Sequence, residues 1–154
     1  MQRAVIGVSL ALMLLLSVAG VAYAPYHTQQ QPQPSPAASS GAFKAQAKVA
    51  SAHAGFASGG SSMAYVKEHL GHVLACIEGA KGKNVNPSWM NPCSGQGNGV
   101  LNDLRASKNG AAWMPVAQAA DCLTVAGFKS TNLVQAKNAA KGVSQLMKLI
   151  ADAK

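Results

Sequence analysis

Carboxylates are scarce in this chain. Five Asp and Glu stand against 13 Lys and Arg among 154 residues, charged residues of both signs make up 12%, and aromatics only 5%. Glu68, Glu78, Asp103, Asp121 and Asp152 show no pairing that acid–base catalysis would use, and no Gly-x-Ser-x-Gly occurs. Cys76, Cys93 and Cys122 are followed by Ile-Glu, Ser-Gly and Leu-Thr, so no Cys-x-x-Cys-His exists to attach haem covalently. Gly95-Gln96-Gly97-Asn98-Gly99 has neither a preceding strand pattern nor a Gly-Lys-Ser/Thr, which argues against a phosphate loop. Asn98, Asn102 and Asp103 supply too little negative charge for a calcium loop. Cys122 with His53 is the remaining pair from which a nucleophile could be built, and nothing specifies it, so an enzyme is not expected.

What is present begins with an export segment. Met1-Gln2-Arg3 supplies a positive start, and residues 4–24 are uncharged and largely apolar. Small residues suitable for a signal peptidase occur at Ala19, Ala22 and Ala24, the last followed by an unfavourable Pro25. The uncharged run is also long enough to span a bilayer, so residues 1–24 read as a signal peptide or as an inner-membrane anchor. Residues 25–41, rich in Pro, Gln and Ser, read as an extended tether in which His27 is simply solvated. The expected location is periplasmic or secreted. The net charge of +8 favours an anionic envelope component or an envelope protein as partner. Nucleic acid is not expected, given export, few aromatics and no binding module. Lys137, Lys141 and Lys148 recur at helical spacing and read as an ordinary solvated face.

Residues 42–154 read as one all-α domain. Phe43, Ala47, Ala50, Ala54 and Ala57 mark a first helix. Met63, Val66, Leu70, Val73, Leu74 and Ile77 mark a second, between a Ser61 or Ser62 cap and Gly79. A third carries Trp113, Val116, Ala120 and Leu123, with Pro115 in its first turn or an upstream extension through Ala111 and Ala112. A fourth follows Ser130 or Thr131 with Leu133, Ala136, Ala140, Val143, Met147 and Ile150. Short breaks between four amphipathic helices predict an antiparallel four-helix bundle. The connection Ala80–Leu104 is too long for a plain link and is expected to be stapled or functional.

In an exported chain the default for cysteine is a disulfide. Cys76–Cys93 is the favoured pair, because it ties the end of the second helix to the loop that follows by a local reversal. Cys122 is then a free, half-buried thiol. The pattern His69-x-x-His72-x-x-x-Cys76, followed by Asn91-Pro92-Cys93 with Gly95, Gly97, Asn98 and Gly99, resembles a group of small exported bacterial helical proteins of unassigned function. The resemblance covers about a quarter of the chain and implies export and the same cysteine pairing; Cys122 lies outside its pattern.

Tyr65, His69, His72 and Cys76 share one stripe of the second helix, beside its apolar face. The favoured expectation makes His69 and His72 half-buried residues that hydrogen-bond to the stapled loop, in a non-enzymatic protein without a cofactor that has a structural or binding role in the cell envelope. The alternative is a copper or zinc site of His69 and His72, joined by His53 if the first two helices pack antiparallel. Met63, Met90 or Met114 could add a thioether, and noncovalent haem is a related option. Cys76 cannot serve both a metal and a disulfide. Trp89 and Met90 are the expected apolar contacts of the loop, either capping the core or meeting a partner.

Overall fold

The structure, a computed structural model, describes residues 41–154. The expected export segment, its cleavage or anchoring, His27 and nearly all of the expected tether lie outside the described residues. Within them are five α-helices and no strand: α1 (Ala42–Gly59), α2 (Met63–Glu78), α3 (Val100–Ala106), α4 (Met114–Lys129) and α5 (Leu133–Ala151). None is long and apolar enough to cross a membrane.

The long helices form the expected antiparallel bundle. α1 packs against α2 and α5, and α4 against the same two, so α1 and α4 stand at opposite corners without contact. Antiparallel order shows in the cross-helix neighbours: Ser51 bonds to Ser144 while Lys44 reaches Ala153. Likewise, Gly127 lies against Ala139 and Leu123 against Gly142. α1 presents Ala47, Ala50, Ala54 and Ala57, all fully buried, so its neighbours approach closely. Larger side chains from α2 and α5, among them Leu70, Leu74, Ile77, Met147 and Ile150, fill the remaining volume. Ser62 caps α2 by accepting from the Tyr65 amide, and Asn132 caps α5 by accepting from that of Gln135.

α4 takes the later of the two starts its sequence allows, and its buried face differs from the expected one. Gly110–Ala112 forms a separate 3-10 turn, so α4 starts at Met114 with Pro115 in its first turn. The buried stripe of α4 is Ala117, Ala120, Thr124 and Gly127, with Trp113, Val116 and Leu123 only partly buried at its edge. Small residues let α4 sit close to its neighbours, and this rotation turns Cys122 outward. Cys122, expected half-buried, is exposed.

The long connection is stapled as expected. Cys76 and Cys93 form a disulfide with Cα atoms 5.2 Å apart, which suits an oxidising compartment. Its glycine-rich run leads into α3, a helix hidden from the periodicity because it is only seven residues long. Gln46 of α1, 1% exposed, anchors this segment. Its Nε2 donates to the buried Asp103 carboxylate, and its Oε1 accepts from the Gly99 amide at 2.7 Å. Asp103 also accepts from the Asn98 amide at 3.1 Å. Gly97 passes so close that a Cβ would collide with the Asp103 carboxylate. Gly99, at φ 103°, lies directly against the Gly79 backbone. The turn formers thus serve a backbone that folds tightly onto buried polar groups.

Candidate metal centre

The α1/α2 hairpin brings His53 to His69 and His72. Three-residue spacing puts His69 and His72 on one side of α2, and antiparallel packing places His53 opposite both. His53 Nδ1 lies 3.1 Å from His69 Nδ1 and 3.3 Å from His72 Nδ1. One donor atom from each of the three residues lies within 4.8 Å of the others. His72 is buried; His53 and His69 are half-buried.

A neutral imidazole nitrogen has either an in-plane lone pair or an N–H. His53 Nδ1 therefore cannot form two well-aligned hydrogen bonds with two different rings. A cation between the rings would instead receive one lone pair from each. A tetrahedral ion with bonds of about 2.0–2.1 Å spaces its donors by about 3.3–3.4 Å. The two short separations match that spacing within a few tenths of an ångström, and three ligands leave a coordination position open.

Electrostatics favour the ligating form. Burial first, then His72 and His69, hold His53 below the ordinary histidine value of 6.5. Burial first, then His69, lowers His72 against an opposing pull from Glu68. Both imidazoles are thereby kept neutral, as metal binding requires. Since the unfolded chain binds more protons here, this contribution to stability is present above pH 6.5 and lost as pH falls through the lowered values.

Aromatic rings border the cluster. The Tyr65 ring lies 4.4 Å from that of His69, and Phe56 lies 5.6 Å from His53 and 5.3 Å from His69. Phe56 is 53% and Tyr65 43% exposed, so the rim opens to solvent. Phe56 was missed in the sequence, although it follows His53 by one turn of the same helix.

Other candidates are dispersed. Cys76 is held in the disulfide. Met63 packs with Val66 and Leu70, Met114 packs on the main core, and Met90 is 72% exposed in the loop. Trp89 lies over Gly71, with its ring 5.1 Å from that of Phe128, and covers the α2/α4 seam. Cys122 and His53 stand on helices that do not touch. The close polar contacts of the His69 and His72 rings among the described residues go to His53 and not to the loop as expected. The loop has Gln46, Asp103 and Glu78 to satisfy it.

The structure also forms a carboxyl pair that the sequence did not suggest, between Glu78 of α2 and Asp121 of α4. Glu78 is buried and accepts from the Asn84 amide at 2.9 Å and from its side chain at 2.6 Å. Burial and then the neighbouring Glu78 push Asp121 up to about 6, against the pull of Lys83. The protonated form is favoured in the fold, so its stabilisation is full below the ordinary 3.8 and lost as pH rises through about 6. Asp121→Asn is therefore expected to stabilise the protein at pH 7 by about 1 kcal/mol, a figure reduced for solvent screening of a half-exposed group. The gain should vanish below pH 4 when urea midpoints are compared across the range.

No protein-family model, curated protein or solved structure matches the chain.

Proposed function

We propose that this is an exported metal-binding protein, a carrier or sensor of zinc or copper, with His53, His69 and His72 as ligands. The observation that carries this reading is the convergence of three imidazoles from two helices, with His53 at near-tetrahedral spacing from each of the other two and all three donors within 4.8 Å. Imidazole suits both metals, and a half-buried site with an open position allows an ion to be loaded and passed on. The apolar sequence at the N-terminus and the disulfide support a periplasmic or extracellular setting.

Titration of the purified, oxidised chain with Zn(II) and Cu(II) tests the proposal. One equivalent of at least one metal should bind saturably, with the fourth position left to solvent or a partner's ligand. The imidazole resonances of His53, His69 and His72 should shift together in the NMR spectrum. The absence of saturable binding, or saturation without those shifts, would refute it.

A further inference from the structure

α1 and α5 lie side by side without a single Asp or Glu in either helix. They carry Lys44, Lys48, Lys137, Lys141 and Lys148 instead. The carboxylates lie mostly elsewhere: Glu78 and Asp103 are buried, Asp121 is half-buried on α4, and Glu68 is on α2. Only Asp152, just beyond α5, belongs to this side, and it pairs with Lys148 at 2.7 Å. A net charge that reads from composition as diffuse is thus concentrated along one pair of helices.

The same seam is hollow. Ser51 donates to the Ser144 carbonyl at 2.9 Å and Ser144 to that of Ser51 at 3.0 Å, drawing the two backbones together. Beside this contact runs an open groove of about 500 Å³, lined by Lys44, Lys48, Ser51, Ala151 and the ion pair of Lys148 with Asp152, its one carboxylate. Lys44 is fixed at one end by its bond to the Ala153 carbonyl at 2.5 Å. Spacings of four and seven residues keep Lys137, Lys141 and Lys148 on one stripe of α5, extending the positive edge beyond the groove. Small residues in the floor admit a chain, and three lysines line its path against the single carboxylate of Asp152.

We propose that this groove binds a linear polyanion bearing phosphate groups, laid along the α1/α5 seam. A concave track with charges on successive helical turns fits phosphates repeated along a strand. A bilayer would require an inserting apolar face. The large apolar residues exposed on α5 are only Val134 and Leu149. Nucleic acid bases would call for stacking rings. The exposed aromatics Phe56 and Tyr65 border the histidine cluster, and none lines the groove. The inference is independent of the metal site, since His53 turns toward α2.

Long-chain inorganic polyphosphate, titrated in the presence of EDTA so that no metal bridges it to the histidines, is the probe. The variant K48E/K141E/K148E should bind at least 10-fold more weakly than the wild type and with a reduced salt dependence. A milder K48Q/K141Q/K148Q should lose affinity in the same direction. The control K81E/K108E/K129E, with the same change in net charge away from the seam, should lose less than threefold. Circular dichroism should show all three folded. Equal losses in groove and control variants would overturn the proposal in favour of net charge alone. Lack of polyphosphate binding by the wild type would overturn it outright. Tighter binding to phosphatidylglycerol vesicles than to polyphosphate, abolished by the groove variant, would replace the polymer with a membrane surface.

Discussion

Replacing His53 with alanine is expected to weaken zinc or copper binding by about 100-fold or more without unfolding the bundle. His53 is the ring that approaches both others, at 3.1 and 3.3 Å, and the one member of the cluster on α1. Its loss leaves two imidazoles on one helix, which cannot enclose an ion. Changes beyond the direct ligands of metal sites already cost about 10–100-fold, so a direct ligand should cost more. The folding penalty should be small, because His53 is half-buried at the bundle's edge. Competition with a chromophoric chelator measures the affinity, and circular dichroism verifies the helices. Phe56→Ala, beside the site but supplying no donor, should stay within a few-fold of the wild type. Retention of affinity by the His53 variant would place the ion elsewhere.

Reduction of the Cys76–Cys93 bridge should lower stability by about 3 kcal/mol, the loop-closure entropy for a ring of about this size. For a domain of this length that corresponds to a fall in Tm of about 10–15 °C. The loss should centre on the loop and α3, which the bridge holds in place so that Gln46 can reach Asp103 and Gly99. Hydrogen exchange at Asn98, Gly99 and the α3 amides should therefore accelerate before that of α5. Cys76→Ala with Cys93→Ala should cost at least as much, because both positions are buried. Cys122→Ser, on an exposed position, should change stability by less than about 0.5 kcal/mol. Thiol counting on unreduced protein should find one reactive thiol per chain; three would contradict the bridge.

Much of the fold was legible because local rules and tertiary packing agree. The stripes of α2 and α5 are buried as predicted except at Met63 and Leu133, which are half-buried. α2 is buried on every side from Leu70 to Glu78, and Gly79 closed it where expected. α5 begins slightly later than its Ser130 or Thr131 signal because Asn132 provides the cap. α3 escaped notice since seven residues barely complete two turns and open on a glycine run. α4 turned by about one position because close packing prefers Ala117, Ala120 and Gly127 to the bulkier residues beside them. The cysteine pair was accessible to sequence reasoning since its closure is local.

The candidate site divides along the same line. The spacing of His69 and His72 alone places them on one face of α2. Their approach to His53 depends on the pairing of α1 with α2, and the carboxyl pair Glu78–Asp121 on that of α2 with α4; no periodicity encodes either distance. By itself the sequence determined the four long helices, the apolar stripes of α1, α2 and α5 and the local covalent staple, since each follows from residues within a few turns of one another. Only the tertiary structure decided which polar side chains meet across helices, gathering three histidines on one side and five lysines along another. Helix packing is governed by apolar shape, and the polar groups follow wherever that packing carries them.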